Sequence, residues 1–305
     1  MGETTEVFPM VKENKLVNKV KRLLKRLRCP RWLHHFGPKT YEFYEHVAAL
    51  LIRSYCRLSY RRTAGFMKGM LGMACPSKSA LQATADKIRT GLWNKLLELT
   101  SGYKHHIIAI DSTGLSRNNP SYYYLKRIDG KIPKIPVKLS IALDTKTKKI
   151  CAAKARVLPS HDIKDAKHLL GKLRTNILVA DKGYDANWLH KYCHERGIET
   201  HIPMRDYGRR VLHNRHSARR KAAKKFRWRT YHRREMVESG NHSLKSKYGS
   251  SVSSRKAATI RSEVYGRLLC HNLFGLFTEI QDRALPIKSF INYILKDIFL
   301  LKWQK

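Results

Sequence analysis

Two short apolar runs, "IIAID" ending at position 111 and "ILVAD" ending at position 181, each finish on an aspartate. A carboxylate at the end of a buried strand costs desolvation unless a cation or a hydrogen-bond donor meets it. If the two runs are neighbouring strands, Asp111 and Asp181 enter one crevice at the strands' carboxyl ends, where α/β sheets place their chemistry. Two adjacent carboxylates repel, so one holds a proton or both bind a cation. Oxygen-only ligands of this kind favour magnesium, with water and phosphate filling the remaining positions. Taken singly, an aspartate after a strand is usually a turn or cap residue. The pairing gives the two positions their weight.

The neighbouring segments extend that sheet. "PVKLSIALD" and "KKICAAKARVL" read as two further strands, joined by the turn-like "TKTK". "HDIKDAKHLLGKLR" reads as an amphipathic helix, "NILVAD" as a strand, "YDANWLHKYCHERG" as a helix and "IETHIPMR" as a strand. Three strands in succession, then helices alternating with strands, indicate an α/β mixed sheet with helices packed on it. Asp162 and Asp165 fall in the first turn of a helix, where capping is the expected role. Asp185 is expected to be an N-cap.

Residues 1 to about 100 read as wholly helical. "KLVNKVKRLLKRLR" sets Leu16, Val20, Leu23, Leu24 and Leu27 at helical spacing with bases on the other faces. That pattern suits a basic arm on a phosphate backbone better than a merely solvated helix. "YEFYEHVAALLIRSYC" is a better buried helix. "LSYRRTAGFMKGMLGMACPSKSALQATADKI" reads as helix, turn, helix, with Ser59 and Ser77 as N-caps. In a DNA-binding helix-turn-helix the second helix enters the major groove, which here presents Lys78, Ser79 and Gln82. A small helical bundle gives the same pattern.

Charge narrows the partner. Lys and Arg number 62 against 23 Asp and Glu, a formal net charge of +39, far beyond what solubility requires. A polyanion is implied, and nucleic acid is the commonest one. The six cysteines form no C-x-x-C pair, so neither a zinc ribbon nor a disulfide framework is indicated. The opening "MGETTEVFPMVKENK" lacks a continuous apolar segment, and other apolar runs are short or broken by bases. No signal peptide and no membrane span are expected. A cytoplasmic, nucleoid-associated protein is.

A third carboxylate lies in "YHRREMVESGNHSLKSKYG", where Tyr231, Arg234, Glu238 and Lys245 are three, four and seven residues apart. At about 100° per residue they share one stripe of a single helix, with Val237, Gly240 and Leu244 on the packing side. The two cations suit phosphates, and the acid completes a metal site. A solvated charged face is the ordinary alternative. Glu235 is a reserve acid, and Lys182 is a DNA contact or a solvated lysine. Trp228 is expected to pack in the core, with base stacking as the alternative. Cys193 and His194 form no metal spacing.

These motifs together resemble the DDE transposases of prokaryotic insertion sequences, in the branch marked by Y-(2)-R-(3)-E-(6)-K. "YHRREMVESGNHSLK" fits that spacing at every position, while "AIDSTG" and "VADKGYD" resemble the two aspartate strands. The resemblance covers about residues 105 to 280. It implies a ribonuclease-H-like catalytic domain in which Asp111, Asp181 and Glu238 bind two divalent ions, Mg²⁺ with Mn²⁺ as a substitute. Phosphoryl transfer would then cleave the element's ends and join the freed 3′ hydroxyl to target DNA. Double-stranded DNA, at element ends and target, is the implied partner. Two ends call for two active sites, hence a homodimer on DNA. Between Asp181 and Glu238 there is little room for the large β-rich insertion of some relatives. The expected organisation is a helical DNA-binding region (1–100), the catalytic domain (101–282) and a C-terminal helix (283–305). Two rival readings are a ribonuclease-H-like nuclease or resolvase that cleaves without joining, and a domesticated, non-mobilising DNA-binding relative.

Overall fold

Successive side chains of the first strand, β1 (Lys104–Arg117), point to opposite faces, and each face builds its own core. The computed structural model describes residues 12–34, 36, 38–117, 136–205 and 217–281. β1 is joined by β2 (Val137–Asp144), β3 (Ile150–Arg156), β4 (Arg174–Val179) and β5 (Glu199–His201) in the order β3-β2-β1-β4-β5. β1, β2 and β3 are antiparallel neighbours, whereas β4 and β5 run parallel to β1. A two-residue strand, β6 (Ser251–Val252), pairs with the far end of β1. This is the mixed sheet, with helices packed on it, that the strand and helix pattern predicts.

On one face Ile108, Ile110, Leu178 and Ala180 pack with α6 (Ile163–Leu170) and α7 (Asn187–Glu195). On the other, Ala109, Leu139, Ile141 and Val179 pack with α5 (Thr90–Ser101), α10 (Glu235–Tyr248) and α11 (Ala257–Gln281). The edge of β3 is closed by side chains. Asn272 brackets Ile150 through N–H and C=O at 2.8 Å each, and Asn94 and Tyr265 do the same at Ala153. An edge occupied this way offers no template for another strand.

The helical region holds α1 (Lys12–Arg26), α2 (Phe43–Tyr55), α3 (Tyr60–Leu71) and α4 (Lys78–Lys87). Ser59 and Ser77 cap α3 and α4, each accepting a backbone N–H at 3.2 Å. α1 is not a free arm. Leu16, Val20 and Leu24 are buried in the same cluster as α2 and α11, leaving Lys15, Lys21 and Arg22 outside. That single cluster runs from α1 to the sheet. The expected helix at 283–305 lies outside the described residues.

Two strand boundaries differ from the sequence reading. β1 continues past Asp111 because Ser112, Thr113 and Gly114 keep pairing with Ser140, Leu139 and Lys138 of β2. Asp111 is therefore mid-strand. "IETHIPMR" forms only the three residues of β5, paired along one side by β4.

Candidate active site

Parallel pairing of β1 with β4 sets Ala109 opposite Val179, and two residues onward the same register reaches Asp111 and Asp181. Both fall on the face that carries α10. Asp111 accepts the Asn241 Nδ2–H at 3.0 Å and the backbone N–H of Ser112. Asp181 directly follows β4 and Ala180, caps the 3₁₀ turn Lys182–Tyr184, and accepts the Gly183 N–H at 3.0 Å. Burial pushes the Asp111 carboxyl above its ordinary range, and the charge of Asp181 adds to this. Burial likewise raises Asp181, with Asp162 adding and Arg234 opposing. These are two desolvated acids that repel across one crevice, and a cation relieves both terms.

The third acid arrives on a broken helix. Tyr231 ends the four-residue α9 (Trp228–Tyr231), a 3₁₀ turn spans His232–Arg234, and α10 begins at Glu235. The single helical stripe expected from spacing is thus interrupted at Arg234. The tighter turn is the common way for a helix to start. Arg234 still reaches Glu238, Nη1 to Oε1 at 2.6 Å, and lies over the Tyr231 ring at 5.7 Å. Its guanidinium is also coupled electrostatically to Asp111 and Asp181. Lys245 stands seven residues beyond Glu238, about 10 Å along the axis. No acid pairs with it among the described residues. Val237 and Leu244 pack as expected, and Gly240 touches the sheet, since a Cβ there would lie 2.5 Å from Leu143 Cδ1.

The donor set suits a hard divalent ion. Asp111 and Asp181 offer carboxylate oxygens, and Asn241, whose Nδ2 must face the acceptor-only carboxylate, leaves its Oδ1 buried with no partner. Glu238 is half exposed and turned to Arg234. Among the described residues no three acidic, imidazole or thiol groups converge closely enough to hold an ion together. Asn241 escaped the sequence reading, although its i+3 spacing from Glu238 is the signal that points to it.

Other candidates fall elsewhere. Lys78, Ser79 and Gln82 are exposed at the start of α4, which packs mainly on α2, α3 and α11. Trp228 does not pack in the core. It is 62% exposed, in an aromatic cluster with Phe226 and Tyr231 at 5.1 and 5.7 Å between centroids. Asp165 is no cap, because its buried carboxylate binds Arg156 and Ser140. Asp162 pairs with Lys138 at 2.5 Å without capping α6. Asp185 is not an N-cap either. Burial opposes its charge, yet His190 and Arg219 hold its carboxyl well below the usual range. Glu235 faces His232 at the surface, and Lys182 is exposed.

Residues 102–273, more than half of the chain, match the family model "Transposase DDE domain". All three acids, Tyr231, Arg234 and Lys245 lie within the match. Among solved structures, the chain is similar to a piggyBac transposase synaptic complex with hairpin DNA at 10% identity and a TM-score of 0.45. That similarity covers 87% of this chain and 72% of the other. It is also similar to a pre-cleavage Mos1 transpososome at 11% identity and a TM-score of 0.22, over 90% and 88% of the two chains. Likeness this loose adds nothing to the site. The family match, on a sheet that sets Asp111 beside Asp181, places the chain in the DDE transposase domain family.

Proposed function

We propose that this transposase cuts the ends of an insertion sequence and joins the freed 3′ hydroxyl to target DNA, with Asp111, Asp181 and Glu238 as its catalytic acids. The observation that supports the reading is the adjacency of Asp111, on β1, and Asp181, just past the parallel strand β4, with Arg234 coupled to both and paired with Glu238. Asp111 and Asp181, with Glu238 once released from Arg234, would hold divalent ions, Mg²⁺ or Mn²⁺. Bound there, the ions supply Lewis acidity and an activated oxygen nucleophile for in-line attack on a phosphodiester.

The chain's own groups do the rest. Asn241 keeps the Asp111 carboxylate turned toward α10 by donating to Oδ2. Arg234, released from Glu238, has a planar fork free for a phosphate near the scissile one, and Lys245 reaches a further phosphate along the strand. Tyr231 buttresses the guanidinium through its ring face. Lys78, Ser79 and Gln82 of α4 contact the element's end DNA. Two protomers act together on the two ends.

The test uses duplex DNA carrying the sequences that flank the coding region. Asp111→Asn, Asp181→Asn and Glu238→Gln should each lose Mg²⁺- or Mn²⁺-dependent cleavage by at least about 10³-fold while still binding that DNA. A precut 3′ end should be joined to a second duplex by the unaltered protein. Cleavage without joining would mean a nuclease instead. Full cleavage by any one variant would remove that acid from the site.

A further inference from the structure

Behind the two aspartates, on the opposite face of the sheet, hydroxyls that are buried at Tyr184 and Ser140 and half-buried at Ser112 form a continuous chain. Tyr184 OH lies 3.1 Å from Ser112 Oγ, Ser112 Oγ 2.8 Å from Ser140 Oγ, and Ser140 Oγ 2.9 Å from Asp165 Oδ2. The chain ends where Arg156 grips Asp165 through Nε and Nη2, both at 2.6 Å. Asp165 is wholly buried and, paired with a guanidinium, only accepts. Ser140 must therefore donate to Asp165, which obliges Ser112 to donate to Ser140 and Tyr184 to donate to Ser112. Each proton in the chain has one place to go, so the network has a single arrangement. A buried network satisfied throughout is rigid.

Its two outer members sit beside the acids. Ser112 follows Asp111 and gives its backbone N–H to that carboxylate. Tyr184 closes the 3₁₀ turn that Asp181 caps, donating its backbone N–H to the Asp181 carbonyl at 3.1 Å. The Tyr184–Ser112 hydrogen bond thus ties the turn bearing one acid to the strand bearing the other. Backbone pairing does not do this, because the β1–β4 ladder stops at Ala109 and Val179.

We propose that Tyr184 and Ser112 are positioning residues that set the separation of the Asp111 and Asp181 carboxylates for a shared divalent ion, through this one-way chain anchored at Asp165. Neither touches the ion or the DNA. The proposal rests on the metal-binding reading of the two aspartates. Groups that orient metal ligands from behind are typically worth 10- to 100-fold in metal affinity or activity.

The experiment compares Tyr184→Phe, Ser112→Ala and the conservative Ser112→Thr in the full chain, with Asp111→Asn as control. Half-saturating Mn²⁺ for DNA cleavage should rise about 10- to 100-fold in Tyr184→Phe and Ser112→Ala. At saturating Mn²⁺ the cleavage rate should return to within about threefold of the unaltered protein, and DNA affinity in EDTA should not change. Mn²⁺ binding followed by electron paramagnetic resonance should weaken in parallel, and Ser112→Thr, which keeps the hydroxyl, should behave as wild type. If Tyr184→Phe does not fold, Ser140→Ala cuts the same chain one link deeper and is read in the same way. Unchanged Mn²⁺ dependence and binding in Tyr184→Phe and Ser112→Ala would overturn the proposal. So would an equal rate loss at every Mn²⁺ concentration, which is the mark of a merely structural defect. If Asp111→Asn itself kept Mn²⁺ binding and cleavage, the metal-site reading would fall first. If that control is dead while the relay variants are normal, only the relay fails.

Discussion

Replacing Asp185 with alanine removes a carboxylate that is 1% exposed and receives donors from three parts of the chain. Arg219 reaches it through Nε at 2.8 and 2.9 Å and Nη2 at 2.5 Å, the Arg205 N–H at 2.6 Å, and His190 Nε2 at 3.2 Å. Arg219 belongs to α8 (Ala218–Lys225), so this one acid fastens a basic helix to the base of α7. Removing one member of a buried ion pair costs about 3–5 kcal/mol, because the other charge stays behind in a low-dielectric place. Arg219 is 18% exposed, so part of its charge can turn to water, and the low end of that range is expected. At about 2–4 °C per kcal/mol, the midpoint of thermal unfolding should fall by roughly 6–12 °C. Urea denaturation at pH 7, followed by far-ultraviolet circular dichroism, measures the same loss.

The double variant Asp185→Leu/Arg219→Leu supplies the sharper comparison, since it removes both charges. It should be more stable than Asp185→Leu alone by about 2 kcal/mol, a positive coupling for neighbours that share one network. The pH dependence has a definite sign. The folded carboxyl lies below its unfolded value, so its contribution is present above the ordinary aspartate range near 3.9 and is lost as pH falls through the folded value. The gap between wild type and Asp185→Ala should therefore be full at pH 6–7 and shrink steadily below pH 4. A loss under about 1 kcal/mol, with additive effects in the double variant, would refute the claim that this pair holds α8.

Two further outcomes are expected from the segment around Glu238. Gly240→Ala places a methyl 2.5 Å from Leu143 Cδ1 in a fully buried site, so overpacking of about 1–3 kcal/mol outweighs a helix-propensity gain near 1 kcal/mol. Thermal unfolding should report the net loss, and Leu143→Val in the same chain should recover much of it. Arg234→Ala and Lys245→Ala should each lower the slope of log affinity against log salt by about one unit and slow cleavage. An unchanged slope with normal cleavage would make both a solvated face.

How far the sequence carried depends on how local each cause is. The caps at Ser59 and Ser77 act within three residues and were legible. The placement of Asp111 beside Asp181 was legible only on the condition that the two runs are neighbours, and the β1–β4 pairing supplies that condition. The roles of Asp165 and Asp185 were not legible. Each reads as a helix-start acid, and its true partners, Ser140 for Asp165 and Arg219 for Asp185, are 25 and 34 residues away in sequence. α1 reads as a basic arm because bases line its other faces in a chain of strong positive charge, yet four buried aliphatic side chains, Leu16, Val17, Val20 and Leu24, decide where it goes. A lone tryptophan favours the core by residue type, whereas a four-residue helix with no buried residue leaves the Trp228 indole outside. The break at Arg234 left no trace in the spacing, since a 3₁₀ turn shifts angles by less than the width of the stripe.

The segment "DKGYD" at 181–185 explains why one short motif can do so much, because consecutive residues there serve different neighbours. The Asp181 carboxylate faces α10. Gly183 folds back so closely that a Cβ would lie 3.1 Å from Asp181 Oδ1, which lets its N–H hold that oxygen. Tyr184 turns through the sheet to Ser112, and Asp185 leaves for Arg219. Along β1 the strand pleat makes the same division, with Asp111 on the chemical face and Ser112 on the supporting one. Each acid thus has its support beside it in sequence and behind it in space. A substitution at Ser112 or Tyr184 should therefore alter how the carboxylates are held without altering what the DNA meets. A substitution at Lys245, which pairs with no acid among the described residues, should do the reverse. That separation, rather than the mere presence of three acids, is what metal titration and salt titration together can resolve.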